Sequence, residues 1–309
     1  MTGQSTKLSD ESIRKLLEQL SPNYSSYRIE PLAASYSNFT DLLIIKGADR
    51  DEQKLVVRRY NPENGDCEGK ARREFAALRQ LHGGDIPVPK PLFLDVEGDT
   101  LGLAGIVTEF VPGQPIFAAE DTEKWIANID QVARMLARIH STPFGDVPMD
   151  VLMDSNAEVS WFIRGNEPPS YMKQHPDGEM IWQFVRDGLP HIQAYERVWV
   201  HIDYWSGNML WHDGQISAIV DWEEAAYGDG AYDVAYALLE LYLEGQDEAA
   251  ERFLHIYEAE RGKPVTNLGF WELAASVRTM LDLDGWLNRP GMHERFRQFI
   301  ARAKKLATE

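Results

Sequence analysis

The chain has 309 residues, of which 26% are charged and 44% hydrophobic, and its formal net charge is −18. This composition excludes an intrinsically disordered chain, and the negative charge argues against binding to nucleic acid or to anionic membrane surfaces. The apolar runs are too short to cross a bilayer. The single cysteine, Cys67, cannot form an internal disulfide, so we expect a cytoplasmic protein.

Strand patterns dominate the first third of the sequence. An amphipathic helix is predicted over 10–20, and a second helix over 69–82 lies between the third and fourth strand-like runs. The predicted strands are 28–34, 39–46, 54–59, 90–95 and 103–107. We therefore expect a mostly antiparallel sheet with one main helix over residues 1–107.

Helical spacing dominates after Pro112-Gly113, which breaks the strand pattern. Residues 141–180 are rich in Pro, Gly, Asp and Asn and are predicted to be a loop-bearing insertion. The predicted helices are 123–140, 180–194, 230–244, 247–261, 269–285 and 292–307. The sequence thus predicts an α+β protein with a small antiparallel β-lobe over 1–107, a linker over 108–115 and a larger, mainly helical lobe over 116–309.

A β-rich segment at 198–221 contains the residues that indicate a chemical function. Asp213-Gly214 is typical of a two-residue hairpin turn. With that turn, Asn208 faces Ile219, and Asp221 lies two residues further along the same face of the ribbon, roughly 7–8 Å from Asn208. An amide oxygen and a carboxylate at that distance can share one Mg²⁺, which prefers oxygen ligands.

Asp203 lies five residues before Asn208, on the loop that enters this hairpin. A carboxylate there can orient an attacking hydroxyl and accept its proton, as phosphoryl transfer requires. His201 is predicted to be buried under the loop and to hydrogen-bond to its backbone. A metal-dependent hydrolase using His201, Asp203 and Asp221 is the alternative, but the other histidines show no ligand spacing.

The pattern His201-x-Asp203-x₄-Asn208, followed thirteen residues later by Asp221-Trp222, resembles the Brenner-type motif and metal-binding aspartate of the aminoglycoside phosphotransferase and choline kinase-like family. That family is related to the protein kinases, whose H-R-D-x₄-N and D-F-G motifs have matching roles. The resemblance implies a bilobal protein-kinase-like fold and the cofactors ATP and Mg²⁺. It also implies Asp203 and His201 as catalytic residues and Asn208 and Asp221 as metal ligands.

The same resemblance calls for a phosphate-binding cation in the β-lobe, and the matching position is Arg58. The adjacent Arg59 points to the opposite face of the predicted strand, so it is the alternative. Glu74 lies on the following predicted helix, at the edge of its apolar face. Burying a carboxylate there is unfavourable unless the charge is paired. An ion pair between Glu74 and the strand arginine would resemble the kinase Lys–Glu pair.

Three further assignments follow from the resemblance. The segment after the last strand of the β-lobe resembles the kinase hinge, which implies that the Glu109 carbonyl and the Val111 amide bind adenine. A glycine-rich loop is missing, so Ser37 and Asn38 of the first hairpin are the candidates for contact with phosphate. The similar family pattern implies that Asp233 braces the catalytic loop, whereas Asp229 is expected from its position before an apolar run to cap a helix.

We expect an ATP- and Mg²⁺-dependent phosphotransferase that acts on a hydroxyl of a small molecule such as an aminoglycoside, an amino-alcohol or a sugar-like compound. The acidic chain is compatible with a cationic acceptor. A Ser/Thr protein kinase of the same fold and a catalytically inactive nucleotide-binding module are the alternatives. The sequence leaves open the acceptor, the choice of ATP or GTP, and the oligomeric state.

Overall fold

The structure is a computed structural model that describes residues 7–32, 38–47, 52–117, 122–192 and 196–308. It divides the chain into two units. The first unit consists of Met1–Gly113, Asp146–Val151 and Ser217–Glu224. The second consists of Gln114–Gly145, Leu152–Ile216 and Ala225–Glu309. Two short segments that follow Gly113 in the sequence therefore belong to the first unit.

A five-stranded sheet forms the described centre of the first unit, with strand order β1-β2-β3-β5-β4 and antiparallel pairing throughout. Two helices, α1 and α2, accompany it. These elements are α1 (Asp10–Leu20), β1 (Tyr24–Pro31), β2 (Phe39–Gly47), β3 (Glu52–Arg59), α2 (Cys67–Leu81), β4 (Pro91–Asp95) and β5 (Gly105–Glu109).

Helix α1 covers one face of this sheet. It begins where the Ser9 side chain accepts a hydrogen bond from the Ser12 backbone N–H at 3.1 Å, which satisfies one of the unpaired amides of the first turn. Its buried face carries Ile13, Leu16 and Leu17, and these pack into the same apolar cluster as sheet residues such as Leu55. Burial of this stripe explains why the helical period of the sequence predicts α1 correctly.

Alternation along β3 places its two arginines on opposite faces. Leu55, Val57 and Arg59 are buried on one face, and the Arg59 Nη2 atom lies 3.2 Å from a carboxylate oxygen of Asp41 there. Arg58 lies on the other face, where helix α2 packs and its Nε atom is 3.3 Å from Glu74. The two arginines consequently have different partners.

The second unit is mainly helical. Two small sheets of the chain have strand orders β10-β9-β6 and β7-β11-β8. Helices α7 and α9 are buried on nearly all sides, and α7 packs against α8, α9 and α11. The strands are β6 (Gln114–Pro115), β7 (Met153–Asp154), β8 (Arg197–Val200), β9 (Met209–His212), β10 (Gln215–Ile219) and β11 (Ala226–Asp229). The helices are α3 (Thr122–Ile139), α4 (Ser155–Val159), α5 (Ser170–Lys173), α6 (Gly178–Gly188), α7 (Ala231–Leu243), α8 (Asp247–Arg261), α9 (Leu268–Leu281), α10 (Leu283–Trp286) and α11 (Met292–Leu306).

The structure differs from the sequence prediction at the hairpin of β9 and β10. The turn at Asp213-Gly214 is present, but β9 begins only at Met209 and β10 ends at Ile219. Asn208 lies in a 3₁₀ turn over Ser206–Asn208, and Asp221 has a left-handed backbone with φ of 68°. The prediction that Asn208 and Asp221 are ribbon positions was therefore wrong, because both lie just outside the paired strands.

The insertion predicted at 141–180 is not loop alone, since it contains the short helices α4 and α5 as well as β7. These elements are too short to produce a helical or strand period in the sequence. Across the described ranges, no helix combines the length and the apolar character that crossing a bilayer would require.

Candidate active site

Arg58 lies at the centre of a cluster of carboxylates in the first unit. Its Nη2 atom is 2.5 Å from Asp221 Oδ1 and 2.6 Å from Glu223 Oε2, and its Nε atom is 3.3 Å from Glu74 Oε2. Burial alone would lower the pKa of Arg58, but Asp221, Glu74 and Glu223 outweigh it and hold that pKa well above its ordinary value. The guanidinium is therefore a fixed positive charge with defined donors.

Glu74 is fixed from a second side by Tyr60. The Tyr60 hydroxyl donates to Glu74 Oε2 at 2.5 Å, in a buried position. Burial raises the pKa of Tyr60 well above its ordinary value, and the charge of Glu74 raises it further. The ion pair between Arg58 and Glu74 that the sequence predicts is thus present, and Tyr60 holds its carboxylate in place.

Glu223 forms hydrogen bonds to residues from three separate parts of the first unit. Its carboxylate accepts hydrogen bonds from Asn38 Nδ2 at 2.5 Å and from Lys70 Nζ at 3.0 Å, in addition to Arg58, and its backbone carbonyl accepts from Arg73 Nε at 3.0 Å. Burial opposes the charge of Glu223, but Arg58 and Lys70 outweigh it and lower its pKa. Asn38 is therefore tied to the strand arginine through Glu223, whereas Ser37 lies outside the described residues.

Three carboxylates of the first unit lie close enough together to hold a cation. One oxygen from each of Glu74, Asp221 and Glu223 lies within 4.8 Å of the others. Hard carboxylate oxygens are the ligands that Mg²⁺ prefers, and Asp221 offers one of them, but in this structure the Arg58 guanidinium pairs with all three carboxylates. The segment Ser217–Glu224, which carries Asp221, is joined to the rest of the first unit at Ile219, because the Ile219 backbone N–H donates to the Pro87 carbonyl at 2.8 Å.

The Asp203 carboxylate lies in the second unit and is oriented by Asn208. The Asn208 Nδ2 atom donates to the Asp203 backbone carbonyl at 2.9 Å and to Asp203 Oδ2 at 2.8 Å. Since the amide nitrogen makes both bonds, the amide oxygen of Asn208 remains as a candidate metal ligand. Asp203 Oδ1 lies 3.5 Å from Arg278 Nη1, and the Asp203 side chain keeps 27% of its surface exposed.

Asp233 braces the loop that carries Asp203. Its buried carboxylate accepts from the backbone N–H groups of His201 at 2.7 Å and of Ile202 at 2.8 Å, and it lies 3.2 Å from His140 Nε2. Ile202 has a φ of 71°, which is rare for a β-branched residue. The two bonds to Asp233 hold this conformation, and His201 is fully buried beneath it.

Most of the chain matches one known protein family. The family model described as "Phosphotransferase enzyme family" matches residues 28–266. The chain belongs to the phosphotransferase enzyme family. The α+β, protein-kinase-like fold predicted from the sequence is confirmed.

One relative of this chain is a much longer protein. The chain is 25% identical to the mouse protein acyl-CoA dehydrogenase family member 10 over 276 residues, which are 84% of this chain but only 24% of that relative. The chain therefore spans about a quarter of that relative's length.

Two solved structures share the fold over nearly the whole chain. Aminoglycoside phosphotransferase APH(4)-Ia superposes with a TM-score of 0.65 at 14% identity and covers 96% of this chain and 99% of that one. Choline kinase LicA from Streptococcus pneumoniae has a TM-score of 0.59 at 16% identity, with coverages of 95% and 98%. At these identities the likenesses establish the fold alone.

The residues predicted to bind adenine lie near the end of Met1–Gly113, the first segment of the first unit. Glu109 is the last residue of β5, and its backbone N–H donates to the Lys90 carbonyl at 2.9 Å. Val111 follows two residues later and is half-buried. Both precede the division between the units at Gly113 and Gln114.

Sequence reasoning missed three residues of the site, namely Lys70, Glu223 and Arg278. Glu223 was not predicted, although an acid directly after a buried tryptophan at 222 could have signalled a paired carboxylate. Lys70 contacts a residue 153 positions away, and Arg278 contacts one 75 positions away. No local pattern could have identified these two.

Proposed function

We propose that this phosphotransferase moves the γ-phosphoryl group of ATP to a hydroxyl of a small molecule, in a Mg²⁺-dependent reaction with Asp203 as the catalytic base. The acceptor class is an aminoglycoside, an amino-alcohol or a sugar-like compound. The observation that carries the proposal is the Asp203 carboxylate, which is partly exposed and held in one orientation by the Asn208 amide. A general base needs this combination of fixed geometry and access.

Asp203 Oδ1 is the oxygen that we assign to the acceptor hydroxyl, because Oδ2 already accepts from Asn208. The hydroxyl donates its hydrogen bond to Oδ1 and passes its proton there as its oxygen forms a bond to the γ-phosphorus. The bond from that phosphorus to the bridging oxygen breaks, and its electron pair leaves with ADP. Asp233 and His201 contribute by holding the loop, so that the base does not have to be reoriented during the reaction.

Arg58 is the proposed cation for the nucleotide phosphates, with Glu74 and Tyr60 fixing its guanidinium. Guanidinium groups bind phosphate through paired N–H donors. Asp221 and Asn208 remain the proposed Mg²⁺ ligands, and the ion would neutralise charge on the phosphates. The Glu109 carbonyl and Val111 amide are proposed to bind adenine, and Ser37 and Asn38 to lie at the phosphates.

Known ligands of structurally similar proteins support a small-molecule acceptor. A variant of APH(4)-Ia with a TM-score of 0.62 to this chain was solved in a ternary complex with AMP-PNP and hygromycin B, and LicA is a choline kinase. Hygromycin B and choline both carry a hydroxyl group, as the proposal requires of an acceptor.

A panel of acceptors tests this function. Purified protein with ATP and Mg²⁺ is offered amino sugars, choline-like alcohols and homoserine, ADP release is recorded, and ³¹P NMR identifies the modified hydroxyl. We expect acceptor-dependent ADP release with at least one small molecule, and its loss when EDTA replaces Mg²⁺. Phosphate transfer only to added protein would instead indicate a protein kinase. Nucleotide binding without transfer to any acceptor would indicate an inactive module.

A further inference from the structure

A cation from helix α9 lies beside the proposed base. The Arg278 Nη1 atom is 3.5 Å from Asp203 Oδ1, and the Arg278 side chain is 23% exposed. Its guanidinium carbon is 5.3 Å from the centre of the Tyr236 ring on helix α7. Burial raises the pKa of the Tyr236 phenol well above its ordinary value, and the charge of the adjacent Asp203, to which it hydrogen-bonds, raises it further.

The contact between Arg278 and Asp203 is longer than that of a closed ion pair. Charge-assisted hydrogen bonds between nitrogen and carboxylate oxygen are typically about 2.7–2.9 Å long. The guanidinium instead rests over the face of a buried tyrosine, an arrangement that cation–π attraction stabilises. Tyr236 therefore contributes to the position of Arg278 beside Asp203.

Phosphoryl transfer needs positive charge at this place. In the transition state the negative charge is spread over the three outer oxygens of the transferred group. The acceptor oxygen shares its proton with Asp203 while it bonds to phosphorus, so these outer oxygens pass within a few ångströms of the base. The catalytic loop His201–Asn208 contains neither lysine nor arginine, so any cation acting there has to come from another element.

We propose that Arg278 is a catalytic residue that donates hydrogen bonds to the outer oxygens of the transferred phosphoryl group; this role rests on the proposed function of Asp203. As the acceptor O–P bond forms and the P–O bond to ADP breaks, an Arg278 N–H shifts from Asp203 Oδ1 to a phosphoryl oxygen. The same shift releases Oδ1 to take the hydroxyl proton. Arg278 thus serves as an arginine finger supplied in cis.

The substitution Arg278→Gln tests this role, and Arg302→Gln is the matched control. Arg302 also lies over a tyrosine ring, 4.9 Å from that of Tyr242, and pairs with a carboxylate, that of Glu272. We expect Arg278→Gln to lower kcat by about 10²–10³-fold while both KM values change less than about threefold. Arg302→Gln should lower the melting temperature but leave kcat within about threefold.

Two further measurements separate a catalytic role from a structural one. Guanidine hydrochloride at millimolar concentration should restore part of the lost kcat of Arg278→Ala, and Arg278→Lys should retain more activity than Arg278→Gln. A kcat near that of the wild type in Arg278→Gln, or a raised acceptor KM with kcat unchanged, overturns the role of Arg278 alone. A wild-type chain that transfers phosphate to no acceptor overturns the proposed function and this role with it.

Discussion

Ile202 and Asp221 have left-handed backbone conformations, with φ angles of 71° and 68°. For residues other than glycine such conformations cost on the order of 1–3 kcal/mol and persist only where surrounding contacts hold them. At Ile202 the holding contacts are two backbone hydrogen bonds to the Asp233 carboxylate. The backbone next to Asp203 is therefore strained, and its geometry depends on one buried acid.

The substitution Asp233→Asn should weaken this loop. An amide has a single acceptor oxygen, so one of the two buried N–H groups loses its partner, at a cost of about 1–3 kcal/mol. We expect urea unfolding to show a loss of about 2 kcal/mol, and turnover to fall because Asp203 is displaced. Asp213→Asn, in an exposed turn, is the control; equal stability of the two variants would contradict the bracing role.

Ionisation of the Glu272 carboxyl should make the stability of the folded protein depend on pH. Burial raises its pKa to about 7, and the attraction of Arg302 offsets only part of that effect. Because the folded-state pKa exceeds the ordinary value of about 4.3, the folded state binds the proton more tightly, and its stability falls as the pH rises from about 4 through 7. Glutamine at this position cannot ionise.

Wild type and Glu272→Gln should therefore respond differently to pH. We expect the free energy of unfolding of the wild type to fall, relative to that of the variant, by up to about 3 kcal/mol between pH 5 and pH 8. Urea unfolding at both pH values measures the difference. Parallel pH curves for the two proteins would show that Glu272 keeps an ordinary pKa in the folded state.

At the scale of elements, sequence periodicity was most informative where an element buries one face. The helices predicted at 10–20, 247–261 and 292–307 match α1, α8 and α11 almost residue for residue. Strand β1 begins earlier than predicted, at Tyr24, because its first residues pair with β2 through backbone bonds that polar side chains do not reveal. The ends of β9 and β10 were missed for a similar reason, since apolar alternation continues past the last paired residues.

The turn between β9 and β10 was predicted from its two residues, and it has the expected backbone. Asp213 and Gly214 have φ angles of 50° and 75°, as a turn with two left-handed residues requires. A Cβ added at Gly214 would have no atom within 4 Å. The cost of a side chain there is therefore purely conformational.

Gly214→Ala should reduce stability by about 1 kcal/mol, whereas Gly214→Asn should cost less because asparagine tolerates the left-handed region. Thermal unfolding of both variants beside the wild type measures this ranking. If alanine proved as stable as glycine, the turn would have to adopt another conformation in solution.

For the whole molecule, the spacing of the motif identified Asp203, Asn208 and Asp221, and strand alternation separated Arg58 from Arg59. What the sequence could not supply were contacts between distant parts of the chain, such as Lys70 with Glu223 and Arg278 with Asp203. These partners depend on packing that no local period encodes. The roles of all these residues in catalysis remain predictions.

The turnover of Asp203→Asn shows whether this carboxylate is the catalytic base. Asparagine keeps the size of the side chain but cannot accept the hydroxyl proton, and Asp187→Asn, an exposed site on α6, is the control. We predict that kcat falls by about 10²–10⁴-fold while the KM for ATP stays within about threefold of the wild-type value. A kcat for Asp203→Asn close to that of Asp187→Asn would show that this carboxylate is not the base.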